Sequence, residues 1–192
     1  FDNCFSTNYV ITCQSNNIMI ADTLIQFNEA QSGKSCGGVY LGKSGNYVIR
    51  NTQFIRTFSD SVINYVSSTA NCHLEISGCI FDSFNNGPGR CLLLTNIKHP
   101  IIFYNNSIIN DIDATFSGLI TFNGIDEFTL DSCNFSGNTF TNNAAAQDNC
   151  GGCGFWINRH EGVTQNSLRP KLSITFTSCR WTNNYCSKNS GG

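Results

Sequence analysis

Six stretches of this chain fit one template, and their spacing constrains the fold more than any other feature. The template is apolar, x, apolar, x, x, small or polar, x, apolar. It matches IMIADTLI from Ile18, YVIRNTQF from Tyr47, LEISGCIF from Leu74, IIFYNNSI from Ile101, FTLDSCNF from Phe128 and ITFTSCRW from Ile174. Successive starts lie 29, 27, 27, 27 and 46 residues apart. Three equal intervals in a row mark an internal repeat, and the last interval is the same unit enlarged by an insertion. FDNCF at the N-terminus reads as the remnant of one more unit.

Each unit carries a second apolar run after a polar bend: VYL at Val39, VINYV at Val62, CLLL at Cys91, LITF at Leu119 and CGFWI at Cys153. Period-two alternation predicts strands with one buried face, and no stretch has helical periodicity. Gly and Asn pairs punctuate the joints, where turns need residues that tolerate positive φ. Short strands recurring about every 27 residues predict a solenoid, one coil per unit. A single coil cannot bury its inward face, whereas coils stacked at about 4.8 Å form parallel sheets around an apolar column. The expected fold is therefore all-β: a right-handed parallel β-helix of about six to seven coils of roughly 27 residues, with residues 1–192 forming one segment. An antiparallel sandwich, the main rival, does not explain equal spacing. In this register Ile20, Ile49, Ile76, Phe103, Leu130 and Phe176 form one inward column.

The strings FNEAQSGKSCGGVY, FTNNAAAQDNCGGCGF and WTNNYCSKNSGG share an aromatic residue, a following Asn, a polar bend and Gly-Gly. They resemble the F-x-x-N and G-G-A-[ILV] repeats of chlamydial-type polymorphic outer-membrane proteins, repeats that also occur in surface proteins of some unicellular eukaryotes. The matching residues are Phe140 and Asn143 with Gly151 and Gly152, then Trp181 and Asn184 with Gly191 and Gly192. Gly37 and Gly38 match before Val39, but the residue three after Phe27 is Ala30. The middle units lack both signatures. The resemblance implies a β-helical region displayed on a surface and used in adhesion.

Composition points the same way. Only 12% of the 192 residues are charged, while Asn makes up about one residue in seven. Net charge is −2, and no run of Lys or Arg supplies the basic footprint of a nucleic-acid binder. Eleven cysteines and the sequons at Asn105 and Asn134, candidate glycosylation sites, fit an extracellular or cell-surface location. No apolar run reaches the roughly 20 residues of a membrane-spanning helix. The ends look like the middle of a pattern, so further coils are expected on both sides. The expected partner is a host or neighbouring surface protein or a glycan, and no cofactor is implied.

CGGCGF, from Cys150 to Phe155, has the spacing of a redox pair or half a zinc site. A redox site wants a helix N-terminus, and zinc a second ligand pair; neither is present in the pattern. Cys36 precedes Gly-Gly at the same place without a CxxC partner, so the glycines belong to the repeat. Cys79, Cys133 and Cys179 share the sixth template slot with Thr23, Thr52 and Asn106, and are expected to be small buried residues. Disulfides are expected between loop cysteines instead, with Cys4–Cys13 and Cys72–Cys91 as examples.

Polysaccharide lyases and glycoside hydrolases share the β-helix architecture and form the rival functional class. Glycoside hydrolysis needs two carboxylates about 5 to 9.5 Å apart, which on this fold means neighbouring coils. Outward slot two reads Met19, Val48, Glu75, Ile102, Thr129, Thr175, and slot four reads Ala21, Arg50, Ser77, Tyr104, Asp131, Thr177. Slot five reads Asp22, Asn51, Gly78, Asn105, Ser132, Ser178. No column holds two neighbouring acids, so no catalytic residue and no metal ligand is assigned. The pairs Asp111 with Asp113 and Asp126 with Glu127 read as solvated bends. His73, His99 and His160 lie in separate joints with no acid at a regular offset, and His99 before Pro100 reads as a loop. The insertion at 158–171 holds Arg159, His160, Glu161 and Arg169, the residues expected to bind a ligand if any do. Slot eleven, with Asn28, Asn138 and Asn184, is expected to bond backbone groups of adjacent coils.

Overall fold

The computed structural model describes residues 1–2, 5–6, 9–14, 17–26, 29–30, 38–42, 45–57, 61–67, 72–82, 90–97, 99–110, 112–113, 119–125, 127–140, 155–158 and 173–186. Among the described residues every regular element is a strand and none is a helix. Three six-stranded sheets dominate, and all their strand pairs are parallel. The first sheet contains Asn17–Ala21, Asn46–Arg50, His73–Ser77, Ile101–Tyr104, Glu127–Asp131 and Ser173–Thr177. The second contains Leu24–Gln26, Gln53–Ile55, Ile80–Asp82, Ser107–Ile109, Asn134–Ser136 and Arg180–Thr182. The third contains Ile11–Cys13, Val39–Gly42, Ser61–Val66, Arg90–Ile97, Ile120–Ile125 and Phe155–Asn158. Short strands at Ile112–Asp113, Thr139–Phe140 and Tyr185–Cys186 form a fourth sheet, and Phe5–Ser6 pairs with Glu29–Ala30. The chain is a parallel β-solenoid.

The template supplies the first two sheets, and the second apolar run of each unit supplies the third. Ile20, Ile49, Ile76, Phe103, Leu130 and Phe176 are direct register partners in that order, so the expected column is formed. In the second sheet the inward column is Ile25, Phe54, Phe81, Ile108, Phe135 and Trp181. The rings of Phe54 and Phe81 stack at 4.9 Å, and those of Phe135 and Trp181 at 4.8 Å. Parallel in-register strands bring identical slots together, so aromatic residues in slot eight face one another as offset pairs. Val39, Ile63, Leu92 and Ile120 close the core from the third sheet, all fully buried.

The bends are built by residues in the left-handed region. Slot five holds Asp22, Asn51, Gly78, Asn105, Ser132 and Ser178, with φ between 48° and 64° at every one. Slot ten repeats this at Arg56, Asn110, Gly137 and Asn183. Asn, Asp and Gly suit this region because a short polar chain, or none, limits the steric cost. After each bend the next residue turns inward, where its polar group meets backbone. Thr23 and Thr52 donate to the carbonyls of Ala21 and Arg50, and Asn106 Nδ2 donates to Ile76 O at 2.8 Å. In slot eleven Asn138 Nδ2 donates to Ile108 O and Asn184 Nδ2 to Phe135 O, as expected for that slot. Thr57 in the same slot is buried, and its hydroxyl has no partner.

Gly38 has a different role from the tight turn expected of the repeat glycines. Its φ is not in the left-handed region; a Cβ there would sit 3.0 Å from Val62 O and 3.3 Å from Phe54 Cδ1. Close approach to the neighbouring strand, rather than turn geometry, requires glycine at this position.

Candidate functional site

The outward face of the first sheet is where a catalytic cluster would have to stand, and its register is now fixed. Glu75 lies between Val48 and Ile102, and Asp131 between Tyr104 and Thr177. Glu75 and Asp131 are separated by an intervening strand, about 10 Å at ordinary strand spacing, and by two further slots sideways. Glu127 stands four residues before Asp131 on the same strand. Among the described residues, no two carboxylates on this face occupy neighbouring positions. No cluster of three His, Cys, Asp or Glu side chains has a metal-holding arrangement among them either.

His73, expected to have no acid at a regular offset, has one two residues on. His73 Nε2 lies 3.7 Å from Glu75 Oε2, and Ser77 Oγ donates to Glu75 Oε1 at 3.0 Å. The three side chains alternate outward along a single strand, so a spacing of two was the available signal. The carboxylate sits between the imidazole and the hydroxyl and separates them. A nucleophilic triad needs the histidine against the hydroxyl, so the order here is wrong for that chemistry. The pair is exposed at about a third or more of each side chain, where such contacts contribute little.

The polar group that the sequence hid is His99. Expected as loop, it is only 3% exposed, with Nε2 2.8 Å from the hydroxyl of fully buried Tyr65. Its Nδ1 lies 3.0 Å from Pro100 O, which accepts only if Nδ1 carries the proton. Nε2 is then the acceptor and Tyr65 the donor. Burial pushes the His99 pKa below its usual value, opposed by the Pro100 carbonyl and helped slightly by His73. Burial also raises the Tyr65 hydroxyl pKa strongly. A neutral imidazole and a protonated phenol are the stable pair, which suits a structural bond between the strand Ser61–Val66 and the bend that follows Arg90–Ile97.

The thiols in slot six are hydrogen-bond donors to backbone. Cys79 Sγ lies 3.6 Å from Ile49 O and 3.5 Å from Ser77 O. Cys133 Sγ lies 3.3 Å from both Phe103 O and Asp131 O. Cys179 repeats the pattern with Leu130 O and Thr177 O. Burial pushes the Cys79 thiol up to about 11 and Cys133 to about 12. The thiolate is the nucleophile and the metal ligand, so these sites are held in their inert form. Cys79 and Cys133 are buried as expected, whereas Cys179 is only partly so. The expected bridges do not form: Cys13 keeps a free thiol, and Cys72 accepts from Ser67 Oγ rather than joining Cys91.

Asn105 is exposed at its bend, and Asn134 is half-buried on the outer side of the second sheet between Ser107 and Arg180. Trp181 stands in slot eight within Arg180–Thr182, and Asn184 in slot eleven at the bend before Tyr185–Cys186. Phe140 lies in the fourth sheet. Arg159, His160, Glu161 and Arg169, with the 158–171 insertion apart from Asn158, fall outside the described residues. So do Gly37, Asn143, Gly151, Gly152, Asp111 and Asp126, as well as Cys4, Cys36, Cys150 and Cys153. No family model, curated protein or solved structure matches the chain. The class is set by the fold alone, a parallel β-solenoid.

Proposed function

We propose that the chain is a stretch of right-handed β-helix of six to seven coils, secreted or displayed at a cell surface, that serves as an adhesive element or stalk without catalysis. It would act in the manner of the polymorphic outer-membrane protein repeats that it resembles. Further coils would extend it on either side. The observation supporting this reading is the division of labour between the two faces. Inward polar side chains are used to join one coil to the next, while the acids on the first sheet's outer face are dispersed. A rigid rod with varied side faces is suited to presenting binding surfaces, and the candidate partner is a surface protein or glycan of a host or neighbouring cell.

Two measurements test it. Immobilised protein should retain surface proteins or glycans from a panel, and incubation with acidic and neutral polysaccharides, with and without Ca²⁺, should release no cleavage products. Turnover abolished by Asp131→Asn would replace this reading with a polysaccharide-cleaving enzyme.

A further inference from the structure

Two adjacent asparagines at one bend face opposite ways. Asn106 turns inward and is buried, with Nδ2 donating to Ile76 O and Oδ1 accepting from Cys79 N, both at 2.8 Å. Asn105, the slot-five residue with φ 50°, is exposed, and its side chain has no hydrogen-bond partner among the described residues. Its neighbours along slot five explain the contrast with Asn51, whose Nδ2 donates to Asp22 Oδ1 at 3.1 Å. On one side of Asn105 stands Gly78, which has no side chain to offer an acceptor or to fill the space. On the other stands Ser132, whose hydroxyl donates to Asp131 Oδ1 at 2.9 Å instead.

A second uncovered group stands beside that amide. Tyr104, the preceding residue, is 47% exposed, and its hydroxyl has no hydrogen bond among the described residues. Ile102, two residues earlier on the same outward face, is 40% exposed. Asn105 opens the sequence Asn105-Asn106-Ser107, the acceptor pattern for N-linked carbohydrate. The other sequon, at Asn134, has no such platform, because its chain neighbours Cys133 and Phe135 are both buried. A sugar ring carries hydroxyls at its rim and C–H bonds across its faces, so it can lie on an exposed phenol ring while its rim stays in water. Carbohydrate attached at Asn105 would start next to the apolar surface that it can cover.

We propose that Asn105 is an N-glycan acceptor and that the sugar nearest the chain covers the ring of Tyr104. The donor is an oligosaccharide carried on a lipid diphosphate, which the secretory route supplies together with its transferase. Asn105 Nδ2 forms the new bond to the anomeric carbon and releases one proton; the bond from that carbon to the diphosphate oxygen breaks, and the diphosphate leaves with the electron pair. In the folded coil Ser107 is fixed in the strand Ser107–Ile109, with its N–H on Cys79 O at 2.9 Å, so transfer precedes closure of the coil. Attachment does not block that closure. The bonds that close the bend come from the Asn106 amide and from the backbone N–H of Asn105, which donates to Asp131 O at 2.8 Å. This inference rests on the secreted or displayed location in the reading above and does not need the adhesive role.

The 192-residue chain, unsubstituted and with Asn134→Gln, is exported from a glycosylating eukaryotic host behind a cleavable heterologous signal, so the test does not depend on the native route. Mass spectrometry of proteolytic peptides should find carbohydrate at Asn105 in both forms. Nitration by tetranitromethane then compares the native glycoprotein with the same material stripped by a glycan amidase, with Tyr185, 58% exposed, as internal reference. Tyr104 should react several-fold more slowly in the glycosylated form, and Tyr185 equally in both. Stripping should also lower Tm by about 2 °C, the scale of one aromatic contact in a chain of this size, and Tyr104→Ala should abolish that difference. Folded, secreted chain that is bare at Asn105, or one nitration rate for Tyr104 in both forms, would overturn the proposal. A surface-protein and glycan panel that retains nothing would count against adhesion and leave this site standing.

Discussion

The side-chain oxygen of Asn184 accepts two hydrogen bonds from Asn138, one from the backbone N–H at 3.1 Å and one from Nδ2 at 2.9 Å. Asn138 is fully buried, and its Nδ2 also reaches Ile108 O at 3.0 Å. One amide therefore ties together three successive passes of the chain. Asn138→Ala removes the two Nδ2 bonds, keeps the backbone N–H to Asn184 Oδ1, and leaves the Ile108 carbonyl without that donor. A loss of about 1–3 kcal/mol is expected, read as a fall in Tm of several degrees for a chain of this size. A wild-type Tm for Asn138→Ala would show that the ladder does not stabilise the stack.

The buried His99 makes stability depend on pH with a definite sign. Its folded pKa is depressed by burial, while the unfolded value is about 6.5. The unfolded chain then binds more protons in the window between the two values, so stability falls as pH falls from about 6.5 toward the folded pKa. Urea unfolding between pH 8 and pH 5 should show this slope. His99→Gln should flatten it, at some cost in stability at neutral pH where the Tyr65 bond is altered. An unchanged slope in the variant would assign the pH dependence elsewhere.

Cys133 is expected to act as a donor rather than as a reactive thiol. Cys133→Thr retains a hydroxyl where Thr23 and Thr52 already serve, and should change stability by less than about 1 kcal/mol. Cys133→Val removes the thiol bond to Phe103 O and the one to Asp131 O, which keeps the Asn105 N–H, and should cost about 1–2 kcal/mol. In the native protein Cys79 and Cys133 should react with a thiol reagent at neutral pH only as fast as the chain opens, because both are held protonated and buried.

Gly78 is the one slot-five residue without a Cβ. Its φ is +64°, and an added Cβ would lie 2.7 Å from Asn51 Oδ1. Gly78→Ala should therefore destabilise by about 1–2 kcal/mol from the left-handed backbone alone, with displacement of Asn51 added. Gly78→Asn should cost less, because Asn already occupies this conformation at Asn51 and Asn105. Equal losses for both variants would mean that crowding against Asn51 dominates over φ.

The sequence by itself determined the register. Equal spacing and period-two alternation admit one stacking, because a slip by one residue would turn every apolar slot outward, and the column from Ile20 to Phe176 follows directly. The Asn, Asp, Gly and Ser residues at the bends were equally legible, since few residues tolerate the left-handed region. What only the tertiary structure decided was the environment of each slot. Ile76 and Phe176 occupy the same slot, yet one is fully buried and the other 48% exposed, because burial depends on a following coil that local pattern does not report. His99 beside Pro100 has the local signature of a loop, and only a Tyr65 placed 34 residues earlier makes it part of the interior. The spacing of His73 and Glu75 was in the sequence, but whether their side chains meet depended on rotamers. Periodicity is a property of the chain and can be read along it, whereas exposure and pairing across coils depend on distances between residues that are remote in sequence.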